Sequence, residues 1–167
     1  MELIFDTCVL LYLKGDGTDF KTRMARRILT AVRKGMHTGL VSPPVLMELY
    51  YIISDKYGER NAKDFIKFLL STDGIKIVEI TEEMGMIAGE IYFKYNTLPK
   101  KGLTEGQKKE FKCPSACDCL IASVNKYMKK FREDTVVCTT DNRLQQISEI
   151  NWDFSDIPTR ITIEPSN

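Results

Sequence analysis

Residues 3–10 read Leu3-Ile4-Phe5-Asp6-Thr7-Cys8-Val9-Leu10. Three apolar residues, short enough for a strand buried on both faces, run directly into a carboxylate. An unpaired buried charge costs several kcal/mol or must neutralise, so Asp6 needs a reason for its place. The same pattern recurs downstream. Short apolar runs at Leu3–Phe5, Thr38–Val41, Ile75–Ile80, Thr135–Cys138 and Arg160–Ile163 alternate with longer stretches of helical period. That alternation predicts an α/β fold with a parallel sheet of five strands covered by helices.

The helical stretches carry their own signals. Phe20, Met24, Ile28, Leu29 and Val32 share one face, with the arginines on the other, and Gly35 stands where that helix should stop. Pro43 and Pro44 after Ser42 suit the start of a second helix, running from Val45 to about Lys56. Asn61 can cap a third helix with Phe65, Ile66 and Leu69 on one side. Thr81 can cap a fourth that carries Met84, Ile87, Ala88, Ile91 and Tyr95. Pro99, Gly102 and Gly106 among lysines make 97–112 an exposed loop or insertion. Ser115 opens a further helix to about Phe131, and the tail beyond Glu149 reads as mostly irregular.

The 167 residues fit one domain, 1–167, and 43% hydrophobic with 28% charged residues is ordinary for a globular chain. The apolar run Leu3–Leu13 is broken by Asp6 and preceded by Glu2 rather than by a basic segment. No run reaches the ~18 apolar residues of a membrane helix, so a soluble cytoplasmic protein is expected. Five cysteines, Cys8, Cys113, Cys117, Cys119 and Cys138, form an odd set that reads as free thiols in a reducing compartment. Cys113, Cys117 and Cys119 fit no regular zinc spacing, and the sole histidine, His37, is remote from them. Nor does any nucleophile elbow accompany His37, which leaves a thiol or serine hydrolase unsupported.

Net charge is only +1, so a polyanion would be held by local patches or a metal rather than by a global field. Basic residues cluster at Lys14, Lys21, Arg23, Arg26, Arg27, Arg33 and Lys34, again at Lys100, Lys101, Lys108, Lys109 and Lys112, and again at Lys126, Lys129, Lys130 and Arg132. A solvated face explains any one of these as readily as a binding patch does.

Four carboxylates stand where burial or strand ends would normally exclude them. Asp6 and Asp141 each follow a strand, so both should emerge at the carboxyl edge of the sheet, where open α/β sheets bind ligands. Glu48 is the only charged residue from Leu40 to Ser54, and Asp118 lies in the first turn of an apolar helix. Should the four converge, their repulsion would raise their pKa values unless a cation sat among them. Oxygen donors without a suitable imidazole favour Mg²⁺ or Mn²⁺. Each acid also has a plain structural reading. Asp118 is at capping-box spacing from Ser115, Asp141 can cap a short helix through Ile147, Glu48 can lie on a narrow polar stripe, and Asp6 can satisfy turn amides.

Taken in order, four segments resemble the PIN-domain family, particularly its VapC-like toxin branch. These are Leu3–Leu10 with Asp6, Val41-Ser42-Pro43-Pro44-Val45-Leu46-Met47-Glu48-Leu49, Cys117-Asp118-Cys119-Leu120-Ile121-Ala122, and Val136-Val137-Cys138-Thr139-Thr140-Asp141. The resemblance implies a three-layer α/β/α fold, Mg²⁺- or Mn²⁺-dependent cleavage of RNA, homodimers, and inhibition by a protein antitoxin. By the same carry-over Asp6, Glu48, Asp118 and Asp141 would be catalytic and metal ligands, with Thr139 supporting Asp141. Many members carry a further acid two residues beyond the last aspartate and then an aromatic; Arg143 and Leu144 occupy those places here, which puts a second metal site in question. A nuclease of RNA processing would use the same acids, and a catalytically silent RNA- or protein-binding module would keep the fold without the reaction.

Overall fold

The computed structural model describes residues 1–15, 17–104, 106, 113–155 and 157. The chain runs β1 (Glu2–Phe5), α1 (Thr7–Lys14), α2 (Phe20–Arg33), β2 (Thr38–Val41), α3 (Pro43–Tyr57), α4 (Glu59–Leu70), β3 (Ile75–Ile77), α5 (Glu82–Tyr92), one π-helical turn (Phe93–Thr97), α6 (Ala116–Met128), β4 (Thr135–Cys138), α7 (Asn142–Gln145) and β5 (Trp152–Asp153). The five strands are all parallel, in the order β3-β2-β1-β4-β5.

That order places the site. From β1 the chain steps outward to β2 and β3, then crosses back to lay β4 and β5 on the other side of β1. Right-handed crossovers therefore put α1–α4 on one face of the sheet and α5–α7 on the other, giving three layers. The packing agrees: α1 contacts α2 and α3, α3 contacts α4, and α6 contacts both α5 and α7. Strand order reverses between β1 and β4, where Phe5 is in register with Cys138. Beyond their carboxyl ends lies the crevice such a reversal opens.

Each element follows from its sequence. α2 buries Met24, Ala25, Ile28, Leu29 and Val32 as its apolar stripe requires. It ends at Gly35, whose φ of 74° lets the Gly35 amide reach Val32 O and the Met36 amide reach Ala31 O. β1 is sealed on both faces, with Leu3, Ile4 and Phe5 at most 2% exposed. Gly39 in β2 leaves room for them: a Cβ there would stand 2.6 Å from Cε2 of Phe5 and 2.5 Å from Cδ1 of Ile75.

Several local expectations need correction. The third strand stops at Ile77, because Val78 pairs with Val41 only through its amide before the chain turns away. The fifth strand is Trp152–Asp153, inside the tail expected to be irregular, where its pairing to Val137 and Cys138 supplies what the residues' own propensities do not. Arg160–Ile163 lies outside the described residues, as do Lys108, Lys109 and Lys112 of the expected loop. Asn61 does not cap α4: Gly58 holds that position, and Asn61 sits inside the helix donating to Tyr57 O. Phe20 begins α2 on the exposed side instead of joining its apolar stripe. The helix from Ser115 ends at Met128, short of Phe131. α1 follows β1 at once, with Asp6 as its N-cap residue, so strand and helix divide the Leu3–Leu13 run at that carboxylate. Among the described residues no helix is long and apolar enough to cross a membrane.

Candidate active site

Four segments bring a carboxylate to the crevice. Asp6 leaves the end of β1 and is 4% exposed. Glu48 stands on α3 beside the buried stripe of Val45, Leu49 and Ile53, half-buried itself. Asp118 lies in the first turn of α6, buried, and Asp141 follows β4 as the N-cap of α7. All four line one pocket of about 170 Å³, together with Thr7, Cys8 and Arg143. Larger cavities exist, including one of about 270 Å³ between α5 and α6, but Ala88, Gly89, Ala116 and Leu120 make its wall apolar and no carboxylate enters it.

Each acid is held by a specific partner. Asp6 Oδ2 accepts from Thr139 Oγ1 at 2.6 Å and from Cys8 Sγ at 2.9 Å. Glu48 Oε2 accepts from Thr7 Oγ1 at 2.6 Å. Asp118 Oδ2 accepts from the Ser115 amide at 2.6 Å while Ser115 Oγ accepts from the Asp118 amide, a complete capping box. Asp141 Oδ1 accepts from the Arg143 amide at 2.8 Å, and its Oδ2 pairs with Arg143 Nη2 at 2.7 Å. Both acids cap helices as expected, although the helix after Asp141 ends at Gln145 rather than Ile147, and both residues also face the pocket. Capping and convergence are compatible because the start of a helix at a sheet edge points its first turn into the crevice.

The electrostatics follow from burial. Desolvation raises the Asp6 carboxyl above its ordinary range, against the lowering effect of the Cys8 and Thr139 hydrogen bonds, and Asp118 raises it further. Desolvation likewise raises Asp118, opposed by its bonds to Ser115, with Asp141 adding a repulsive contribution. Asp141 goes the other way, because the Arg143 side chain bonds to it and favours its charge. Burial and the neighbouring Asp6 push the Cys8 thiol up to about 12, and burial pushes the Cys117 thiol up as well. These thiols stay protonated, which leaves oxygen as the donor the pocket offers a cation.

Two observations bear on whether a metal fits. The donor set is right for a hard divalent ion, and the two buried carboxyls are raised by burial and by neighbouring acids, a cost a cation would relieve. Among the described residues, however, no three His, Cys, Asp or Glu side chains are gathered closely enough to hold a metal ion as they are oriented. Thr7, the Ser115 amide and Arg143 each hold a carboxylate that an ion would have to draw inward.

Thr7, Cys8 and Arg143 escaped the sequence reading as parts of the site. Cys8, one of the five free thiols, is half-buried and donates to Asp6. Only Arg143 left a trace in the sequence, as a cation where relatives carry an acid. Thr139 donates to Asp6 and accepts from the Asp141 amide at 2.9 Å, so it ties the ends of β1 and β4 together.

Residues 3–150 match the family model described as the PIN domain. No curated protein sequence matches the chain. Among solved structures the chain is similar to VapBC2 from Rickettsia felis bound to a promoter DNA fragment (TM-score 0.64, 20% identity, 92% of this chain and 98% of that one). It is also similar to DNA-bound VapBC from Salmonella typhimurium (TM-score 0.60, 17% identity, 92% and 97%) and to VapC20 from Mycobacterium tuberculosis, a sarcin-ricin loop cleaving toxin (TM-score 0.58, 18% identity, 87% and 95%). At these identities the likeness concerns the fold.

Proposed function

Because the chain belongs to the PIN-domain family, we propose that it is a divalent-metal-dependent endoribonuclease, the toxin of a toxin–antitoxin pair. The observation that carries this reading is the single pocket onto which four separate stretches of chain bring Asp6, Glu48, Asp118 and Asp141. VapC20, a sarcin-ricin loop cleaving toxin of the same fold, supports RNA as the substrate, and the two VapBC relatives support an antitoxin partner. The reading takes residues 1–167 as one domain that works as a homodimer in the cytoplasm.

In this mechanism Asp6, Glu48, Asp118 and Asp141 are the residues that would hold Mg²⁺ or Mn²⁺. When bound, such an ion lowers the pKa of a coordinated water and offsets charge on the phosphate and leaving oxygen. The chain's own residues do the positioning. Thr139 and Cys8 fix the carboxylate of Asp6 by donating to Oδ2, and Thr7 fixes that of Glu48. The Ser115 box anchors Asp118 to the start of α6. Arg143, at the pocket wall, offers the guanidinium that a phosphodiester would pair with.

Incubating the purified protein with labelled transfer and messenger RNA in Mg²⁺, Mn²⁺ or chelator, beside Asp6→Asn, tests the reading. Cleavage should need the metal and vanish in the variant; a variant that cleaves at the parental rate would refute it. The ion pair between Arg143 and Asp141 favours a second reading, a catalytically silent RNA- or protein-binding module, since it engages one of the four carboxylates. Absence of cleavage by the parent with any metal would select that alternative. A processing nuclease would instead cleave a precursor RNA at a few defined places.

A further inference from the structure

A second cavity, about 550 Å³, adjoins the acid pocket and shares Cys8, Asp141 and Arg143 with it. The two differ in size and in charge. The acid pocket, at about 170 Å³, is below the roughly 300–1,000 Å³ of organic-ligand sites, whereas the adjoining groove is within it. Four carboxylates face the first. Among the described residues that line the groove, Lys21 and Arg143 are two cations set against one carboxylate, Asp141, which pairs with Arg143 and leaves Lys21 as the uncompensated charge.

The other groove residues suit a nucleotide as well. Asn142 and Gln146, both exposed, line the groove, and each carboxamide offers a donor and an acceptor that can pair with the edge of an unstacked base. Tyr12 forms a side wall, its hydroxyl bonded to Thr140 Oγ1 at 3.2 Å and its ring 5.7 Å from the Lys21 ammonium. Lys21 has no carboxylate partner among the described residues. Its basic neighbours on the same stretch are engaged elsewhere: Lys14 with Asn61, Arg23 with Thr18 O and Arg26 with Gly15 O. From that seven-residue basic cluster, Lys21 is thus the member that lines the groove.

We infer that this groove is a subsite for the nucleotide next to the scissile phosphate in single-stranded RNA, with Lys21 and Arg143 on the backbone and Asn142 and Gln146 facing the base. The inference deepens the nuclease reading and rests on it for which phosphate is cut, but RNA binding in the groove does not require cleavage. A strand whose reacting phosphate lies over the carboxylates continues across Arg143 into the groove. Charge changes sign at that point, from a wall that attracts a cation to one that attracts a phosphate.

The test is fluorescence anisotropy with a 5′-fluorescein single-stranded hexaribonucleotide in chelator, where no cleavage occurs. Lys21→Gln should weaken binding about three- to tenfold at low salt and flatten the slope of log Kd against log salt by about 0.7, the value for one phosphate of a single strand. Lys21→Arg should restore both. Gln146→Ala should alter the order of preference among oligo-U, oligo-A and oligo-C and leave the salt slope unchanged. Lys63→Gln, on the exposed side of α4, serves as control. In the cleavage assay Lys21→Gln should raise KM with kcat preserved. Parental affinity and slope in Lys21→Gln would overturn the inference and assign the groove to another ligand, such as a protein partner. A parent that binds through Lys21 but never cleaves would keep the groove and remove the nuclease reading.

Discussion

Thr139 donates its hydroxyl to Asp6 Oδ2 at 2.6 Å across 133 residues of sequence, and both groups are buried. Thr139 Oγ1 in turn accepts from the Asp141 amide, so one side chain joins the two strand ends that flank the crevice. Hydrogen bonds to a charged acceptor contribute about 1.5–3 kcal/mol, more than neutral ones. Thr139→Val, nearly the same shape, should therefore lose about 1–3 kcal/mol in urea denaturation at neutral pH, and Thr139→Ser should recover most of it. Nuclease activity should fall with the valine and return with the serine.

Asp6 and pH form the second prediction. Burial raises the Asp6 carboxyl in the folded chain above its ordinary value of 3.8, so the native state binds this proton more tightly than the unfolded state does. Stability consequently falls as pH rises from the ordinary value through the raised one. Asp6→Asn removes that penalty. In chelator the variant should melt above the parent at pH 7, and the gap should close as pH drops toward 4. Equal or lower melting of the variant at pH 7 would contradict the crowding of charge in this pocket. Adding Mn²⁺ should raise the parental melting temperature and leave the variant's nearly unmoved.

Arg143 sets a third expectation. Its guanidinium lowers the Asp141 carboxyl, and a cation on that carboxylate competes with any divalent ion for it. Arg143→Gln should bind Mn²⁺ several-fold more tightly in calorimetry. Half of the Arg143 side chain is solvent-exposed, so the pair contributes at most about 1 kcal/mol and the variant should fold normally. Its KM for RNA should nevertheless rise, since the backbone loses a cation. Unchanged Mn²⁺ affinity would show that the ion pair does not restrain Asp141.

How much of this was legible in the chain depends on the kind of interaction. Asp6 and Asp141 announce themselves because a carboxylate ending a buried strand has an anomalous environment, and strand periodicity is local. Glu48 is conspicuous for the same reason on its apolar helix. Trp152–Asp153 could not be foreseen, since two residues become a strand only by pairing with Val137 and Cys138. Thr7 and Cys8 carry no mark either: their roles arise from where α1 turns after Asp6, and the apolar residues on both sides of Asp6 do not show that turn. Arg143 was visible only as a departure from its relatives, and its bond to Asp141 is a matter of side-chain geometry.

Gly39 gives the last prediction, because it links packing to the site. A Cβ at this residue would stand 2.5 Å from Ile75 Cδ1 and 2.6 Å from Phe5 Cε2, closer than real Cβ contacts allow. Ile75 can swing its terminal methyl aside. The Phe5 ring cannot move so freely, because it is 2% exposed in the sealed core and its backbone is paired to Cys138. Overpacking of this kind costs about 1–3 kcal/mol. Gly39→Ala should therefore lower the melting temperature by roughly 2–12 °C, taking ~2–4 °C per kcal/mol for a domain of this size. Phe5 immediately precedes Asp6, so displacement of its ring shifts the carboxylate that Thr139 holds. Activity measured well below the melting temperature should fall too, and full activity with reduced stability would show that β1 absorbs the strain without moving its end.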